Sequence, residues 1–250
     1  MLYLLKRHGM PIKAELAASL VLAYAVQADV LKPFLTPGLE LDTYGGFGFL
    51  AIAMVETRDL RPALLPPGFG LNFFLAGYRI FTRYRTSAGR TLRGLRILRS
   101  GTDRWSMRIF GNLLTHYGYV HSRCCVQRTQ STYGVEIYSP QGDADLKVDA
   151  DITNEPKSPP SGSPFPDLRE ARKFAGPLPF TFDYEQQTHS MIRVEGVRRE
   201  WSPSPVSVRV HRNTFLEREP FRSAGATLAN AFYLENVPYS WKPGVREPLP

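Results

Sequence analysis

Residues 77–100 constrain the fold of this chain more than any other stretch. Tyr78, Ile80, Thr82 and Tyr84 alternate strictly with Arg79, Phe81, Arg83 and Arg85. Successive side chains on a strand point to opposite faces, so this spacing predicts a strand. Ser87, Ala88 and Gly89 supply a turn, and residues 91–100 a returning strand that completes a β-hairpin. On that second strand, parity places Arg93 and Arg99 on the face of Leu95 and Ile97, and Arg96 on the face of Leu92 and Leu98. Whichever face is interior, at least one arginine points inward. A buried guanidinium must be paired or must serve a ligand, because an uncompensated buried charge is strongly destabilising. A helix over residues 91–100, which would let every arginine face water, is the competing reading.

The same segment holds the surplus charge of the chain. Residues 79–108 contain nine arginines and a single acid, Asp103, whereas bases and acids balance elsewhere. Clustered cations are the footprint of an anion site or of a nucleic-acid surface. A general preference for arginine (24 Arg against 7 Lys) explains the residue type but not the clustering.

The rest of the composition bounds the class. With 250 residues, 43% apolar content, 21 prolines and 20 glycines, the chain reads as one β-rich domain spanning residues 1–250, with a Pro/Ser-rich loop at 154–166. The two cysteines, Cys124 and Cys125, are adjacent, so neither a disulfide framework nor a thiolate metal site is expected; a reducing, cytoplasmic location follows. The apolar run over residues 16–26 is too short to span a bilayer. Lys6, Arg7 and Lys13 before it, and Ala25 and Ala28 near its end, imitate a signal peptide, but Glu15 argues for a buried helix or strand instead. No membrane partner is expected, and the oligomeric state is left open.

Farther along, residues 31–46 read as an irregular entry ending in a tight turn, followed by a strand over 47–56. Gly45, Gly46 and Gly48 precede strand-like residues, so they do not form a dinucleotide loop, which must open a helix. Residues 143–152 alternate Asp143, Asp145, Lys147, Asp149 and Asp151 with Ala144, Leu146, Val148, Ala150 and Ile152, which predicts a half-buried strand. Side chains on one extended strand lie too far apart to wrap one calcium ion, so the aspartates are expected to face solvent or the arginines. Asp167 and Glu170 form a capping box for a short helix over 168–174, stopped by Gly176 and Pro177. Strands are expected over 179–184, 189–195 and 206–211, and residues 232–245, with Tyr233, Tyr239 and Trp241, are expected to pack on the core.

Common catalytic chemistries find no motif. The five histidines are scattered, with His116 and His121 on opposite sides of an expected strand, so no metal site is predicted. There is no G-x-S-x-G elbow, Walker A loop or H-E-x-x-H pair, and no cofactor is called for. Cys124 near His116 or His121 has the composition of a nucleophile pair, against the alternative of a small core residue. Asn112, Thr115, His116 and Tyr117 gather polar groups just after the arginine segment, where they would orient a polar ligand or simply satisfy one another at a strand end.

Several long stretches resemble a known family. These are SLVLAYA (residues 19–25), LTPGLELDTYGGFGFLA (35–51), FFLAGYRIFTRYRTSAGRTLRGLRILRSGTD (73–103), GNLLTHYGY (111–119) and SPFPDLREARKFAGPLPFTFDYE (163–185). They look like the DUF2071, or YqjF-like, family, which is grouped with acetoacetate decarboxylase-like folds. The resemblance implies an α+β, predominantly β domain: a curved antiparallel sheet or open β-barrel around a small-molecule pocket, with a few peripheral helices. The decarboxylases of that group use a Schiff-base lysine whose pKa a neighbouring cation lowers. This chain departs from them, since it has no Lys-Lys pair, and Lys147, the only lysine between Lys32 and Lys157, is flanked by Asp145 and Asp149. The expected function is therefore binding of a small organic anion, or a non-Schiff-base reaction on one, through Arg79, Arg93, Arg96 and Arg99 with Asn112, His116 and Tyr117 beside them. The alternative is a nucleic-acid surface in which Tyr78, Phe81 and Tyr84 stack on bases. A third reading is a structural domain whose Arg and Asp faces merely pair.

Overall fold

A computed structural model describes residues 2–176, 178–198 and 201–249. In chain order, a 3-10 turn (Leu2–Arg7) leads into β1 (Ile12–Gln27), the single turn α1 (Ala28–Leu31), β2 (Leu39–Leu41), β3 (Phe47–Pro62), β4 (Leu71–Arg85) and β5 (Thr91–Thr102). Helix α2 (Trp105–Leu114) and β6 (Tyr119–His121) precede β7 (Arg123–Arg128), β8 (Thr132–Tyr138) and β9 (Leu146–Asp151). After the Pro/Ser loop come α3 (Leu168–Ala175), β10 (Phe180–Glu185), β11 (Ser190–Arg198), β12 (Ser204–Pro205), β13 (Ser207–Asn213), α4 (Phe221–Ala224), β14 (Thr227–Trp241) and β15 (Val245–Pro248).

Among the described residues these strands form two sheets. The larger has the order β12-β14-β1-β3-β4-β5-β10-β11-β15, with β2 on β4 and β6 on β5; the smaller runs β13-β9-β8-β7. Most pairs of the large sheet are antiparallel, but β5 pairs in parallel with both β10 and β6. Residues Gly196 to Arg198 of β11 also pair with Tyr239 to Trp241 of β14, so the sheet curls until strands far apart in its order meet. The expected curved, mainly β architecture is therefore present, as a mixed sheet.

The convex face of the large sheet is covered by the small sheet. Leu20, Leu22, Ile52, Met54, Ala76 and Tyr78 pack against Tyr133, Val135, Ile137, Leu146, Val148 and Ala150. This explains the alternation over residues 143–152: Leu146, Val148 and Ala150 point at the large sheet, while Lys147 and Asp149 face water. The apolar run over residues 16–26 is the middle of β1, which is buried on both faces because β3 and β14 flank it and both sides of the sheet are covered.

The hairpin over residues 77–100 forms as expected, with β4 and β5 antiparallel, and the helical alternative for 91–100 is not realised. One detail of its parity is corrected. Tyr78 pairs with Arg99 but Arg79 pairs with Ile97, so an extra residue at Leu98 bulges the strand. A bulge reverses alternation beyond it, and Arg99 joins Arg96 on the convex side instead of sharing the face of Leu95. Residues 105–114 form α2, so Asn112, expected from sequence near a strand end, lies on a helix. The capping box is confirmed: Asp167 accepts a 2.8 Å hydrogen bond from the Glu170 amide. Gly176 ends α3, and Pro177 lies outside the described residues.

Leu146 is wholly buried between the sheets. Leu146→Ala is expected to lower unfolding free energy by about 2–5 kcal/mol, the range for a cavity in a core. Urea denaturation at fixed pH measures it, and a loss well under ~1 kcal/mol would show that this layer is loosely packed.

Candidate functional site

The two faces of the central strands are packed differently. On the convex side Leu20, Leu22, Ile52, Met54, Tyr78 and Ile80 are at most 1% exposed. On the concave side Val21, Leu75, Arg79 and Leu95 keep accessible surface although paired strands flank each of them, and so does Ile97, which pairs with Arg79 on one side. A residue in mid-sheet is reachable only from the face toward which it points, so the concave side lines a space. Small residues let other groups approach this face closely: Arg79 lies across from Ala51, Ala51 from Ala23 and Gly77 from Ala53, and Ala23 and Ala51 pack with Ala171 and Ala175 of α3.

Helices and rings close both ends. At one end α3 delivers Phe174 to Phe49, Phe81 and Phe165, with ring centroids 5.1 to 6.3 Å apart. At the other, Met107 of α2 packs with Phe73, Tyr117 and Tyr119. Gly111 is required there, since a Cβ would fall 2.4 Å from the Tyr119 ring. The N-terminal turn is tied over this end by Arg7, whose guanidinium donates to Glu185 at 2.8 and 2.5 Å, and His8 lies 5.2 Å from the Tyr117 ring.

Arg79 is the cation of this interior. Its guanidinium lies back along its own strand, where a Cβ on Gly77 would come within 2.7 Å of Nε. Nε is buried without a hydrogen-bond partner. Burial lowers the arginine's pKa, and the groups that offset this are the phenols of Tyr239, Tyr119 and Tyr117 rather than carboxylates. Arginine stays protonated even so, and the interior therefore holds a positive charge that no described acid neutralises.

A carboxyl arrives from β10. Alternation sends Phe182 to the convex side with Tyr84 and Leu92, and Thr181 and Asp183 to the concave side, where both act on Tyr117. Asp183 is 3% exposed, and burial pushes its pKa up to about 7 against the opposing pull of Arg96. Tyr117 and Tyr119 feel both Asp183 and Arg79, and burial holds each phenol far above its ordinary range, so both remain proton donors. The Tyr117 hydroxyl, near Thr181, makes no hydrogen bond of normal geometry. Tyr239, beside Arg198, adds a third phenol. The space thus offers the Arg79 guanidinium, with Arg198 beside Tyr239, three phenols and a carboxyl whose pKa burial has raised to about 7.

Of the residues expected from sequence, Arg79 and Tyr117 meet here, and His116 sits half-buried at the rim. Its pKa is lowered by burial, with Lys6 and Glu185 in electrostatic range. The others are engaged by the chain itself. Arg93 donates to Asp42 at 2.6 Å and to the Phe174 carbonyl at 3.0 Å. Arg96 donates to the Phe34 carbonyl at 2.6 Å, and Arg99 is paired with Asp143. Asn112 clips α2 to β6, donating to the Tyr119 carbonyl at 2.8 Å and accepting from the Tyr119 amide at 2.7 Å. A cleft of about 430 Å3 beside Arg93, Arg172 and Lys173 opens to solvent outside the α3 end, away from Arg79. Cys124, on β7, packs against the core between the two sheets with its thiol pushed up to about 12 by burial, the behaviour of a core residue rather than a nucleophile. The aspartates of residues 143–151 are also used locally: Asp143 holds Arg99, Asp149 meets His211 at 2.8 Å, and Asp151 caps the turn at Thr153 and Asn154. Asp183, Tyr119 and Tyr239 were not singled out from sequence; the alternation over residues 180–185 was the available signal for the first.

The chain matches the model of DUF2071, described as an uncharacterized conserved protein, over residues 13–238. It belongs to this family. No curated protein is matched. Among solved structures, this DUF2071 member is similar to an acetoacetate decarboxylase from Legionella pneumophila, with 12% identity and a TM-score of 0.62 over 94% of this chain and 86% of the other. An acetoacetate decarboxylase-like enzyme from Sphingomonas wittichii RW1 gives a TM-score of 0.63 at 12% identity, covering 96% and 94% of the two chains. The enduracididine biosynthesis enzyme MppR, solved with pyruvate, gives 0.58 at 12%, covering 94% and 90%. These likenesses establish the acetoacetate decarboxylase-like fold for the DUF2071 chain. Its lysines, however, are all exposed except Lys6, which is half-buried near His116 at the rim, and Lys147 stands on the small sheet, 3.5 Å from Glu136.

The burial of Asp183 sets a pH dependence. Its folded pKa is raised from 3.8 to about 7, so the folded state binds the proton more tightly than the unfolded chain. The stability from this group is complete below the unfolded value and is lost as pH rises to about 7, by at most roughly 1.4 kcal/mol per pH unit. Asp183→Asn is expected to flatten that decline. Urea midpoints of both proteins across the window check it, and parallel curves would show that Asp183 is already ionised when folded.

Proposed function

We propose that this DUF2071 protein binds a small organic acid in the concave space of its large sheet, with the carboxylate on Arg79. The observation that carries the reading is a buried guanidinium with phenols, and no described carboxylate, around it. Leaving such a charge without a counterion is strongly destabilising, and a carboxylate ligand would provide one in the two-pronged geometry that guanidinium favours. Val21, Leu75, Leu95 and Ile97 supply apolar walls for the rest of the ligand. MppR, a protein of the same fold, has been solved with pyruvate, itself a small carboxylate.

Any chemistry would run without a Schiff base. No lysine is buried, and a charged lysine beside an acid, as at Lys147, is a poor nucleophile. Asp183 is the group suited to moving a proton, because a pKa near the working pH makes a carboxyl effective both as donor and as acceptor. Tyr117 and Tyr119 lie within electrostatic range of Asp183 and of Arg79, so a ligand oxygen developing negative charge would find donors on that side.

Thermal shift against a panel of short carboxylic and 2-oxo acids tests the binding. At least one acid is expected to raise the melting temperature of the wild type, and Arg79→Gln to abolish the shift, whereas Arg99→Ala, whose guanidinium pairs with Asp143 on the convex side, retains it. Equal shifts in wild type and Arg79→Gln would overturn the assignment. Borohydride added with a responsive 2-oxo acid is expected to leave the protein mass unchanged; a covalent adduct on any lysine would restore the Schiff-base route.

A further inference from the structure

We propose that the end of the molecule formed by the N-terminal turn, the β3–β4 turn and α2 docks peripherally on an anionic lipid surface. These three segments lie together. The N-terminal turn packs on α2. The Ala63 amide at the start of the β3–β4 turn donates to the Pro11 carbonyl at 2.9 Å, and Leu60 at the base of that turn packs against the cluster of Phe73, Tyr117, Tyr119 and Met107 of α2. Each presents large apolar side chains to water: Leu5 on the first, Leu64 (94% exposed) and Phe69 (73%) on the second, and Trp105, Ile109 (62%) and Phe110 on the third. Scattered single exposures of this kind are ordinary, but a contiguous group at one end marks an interaction surface.

The surface is built rather than loose. Asp59 gathers the β3–β4 turn, accepting from the Gly68 and Gly70 amides at 3.1 and 2.9 Å and from Arg61 at 2.5 Å. With the Gly68 and Gly70 amides held by Asp59, the turn leaves Leu64 and Phe69 exposed at its tip. On α2, Met107 and Gly111 face the protein, so the stripe of Trp105, Ile109 and Leu113 lies on the outer side.

Charge selects the occupant. Neither Leu2–Arg7 nor α2 contains an acid. Lys6, Arg104 and Arg108 border the apolar group, and none of them is ion-paired among the described residues; Arg108 lies 4.8 Å over the Trp105 ring. In a two-fold dimer the patch would meet itself and bring these cations toward one another. Lipid phosphates would neutralise them while the apolar tips enter the acyl boundary, with tryptophan at the interface. No described helix is long and apolar enough to cross a bilayer, so the attachment is to its surface. It departs from the sequence-based expectation of no membrane partner, and it stands independently of the Arg79 reading.

Co-sedimentation with vesicles of phosphatidylcholine alone, and of phosphatidylcholine mixed with phosphatidylglycerol, tests the proposal. The wild type is expected to pellet with the mixed vesicles at least ~10-fold more strongly than with the neutral ones, and to be released by raised salt. Tryptophan emission should shift to the blue on binding, and Trp105→Phe should remove most of that shift. Leu64→Asp with Phe69→Asp, which alters only the turn and is checked for an unchanged melting temperature, is expected to weaken binding at least ~10-fold. Arg104→Glu with Arg108→Glu should erase the preference for anionic vesicles. Failure to pellet with either vesicle, or pelleting that neither double variant affects, would refute the proposal. A dimer in sedimentation equilibrium that the turn variant dissolves, without vesicle binding, would refute it too and assign the face to a second copy.

Discussion

A long strand in a curled sheet must serve two faces with one chain, and β1, β3 and β4 do so by placing residues of different size on each. The convex face carries Leu20, Leu22, Ile52, Met54 and Tyr78 and is filled by the small sheet. The concave face carries Ala23, Ala51, Ala53 and Gly77. Side chains on the inside of a curved sheet converge; alanine and glycine there let α3 pack close to the sheet, while Val21, Leu75, Leu95 and Ile97 keep accessible surface. The same small residues let Arg79 lie flat on its strand, over Gly77. Everything proposed for the interior depends on that division of volume.

The arginine cluster is likewise divided by geometry. Arg93, Arg96 and Arg99 sit within one strand, yet they are met by Asp42, the Phe34 carbonyl and Asp143, from three separate segments. These pairs attach loops and the small sheet to β5, a structural use of charge that leaves a guanidinium stabilised without making it available to a ligand. Arg79, one strand away, is treated differently: its neighbours are tyrosines. What separates a structural from a ligand-directed arginine here is the chemistry of its neighbours, since the residue type is the same.

The hairpin, the strand expected over residues 143–152, realised as Leu146–Asp151, and the α3 cap were legible in the sequence, because period-two alternation and the Asp167–Glu170 box are local signals. So was the conclusion that an arginine must point inward. The identity of that arginine was only partly legible. A bulge at Leu98 moved Arg99 to the other face, and a bulge adds a single residue that alternation cannot announce. Helix α2 was missed, since Trp105–Leu114 has its buried stripe reduced to Met107 and Gly111, which leaves little of the usual apolar periodicity pointing inward. Asp183, Tyr119 and Tyr239 belong to elements far apart in the chain, and no spacing rule connects them.

By itself the sequence determined the strands, the family resemblance, the absence of a lysine pair and the need for a partner to an inward guanidinium. These follow from residue identity and from neighbours a few positions away. Only the tertiary structure decided which arginines were already satisfied, that burial would raise the pKa of Asp183 to about 7, and that exposed apolar residues from three segments would share one end. Burial and pairing are properties of groups brought together by sheet curvature and long-range register, and a linear pattern specifies each strand without specifying what will lie across from it.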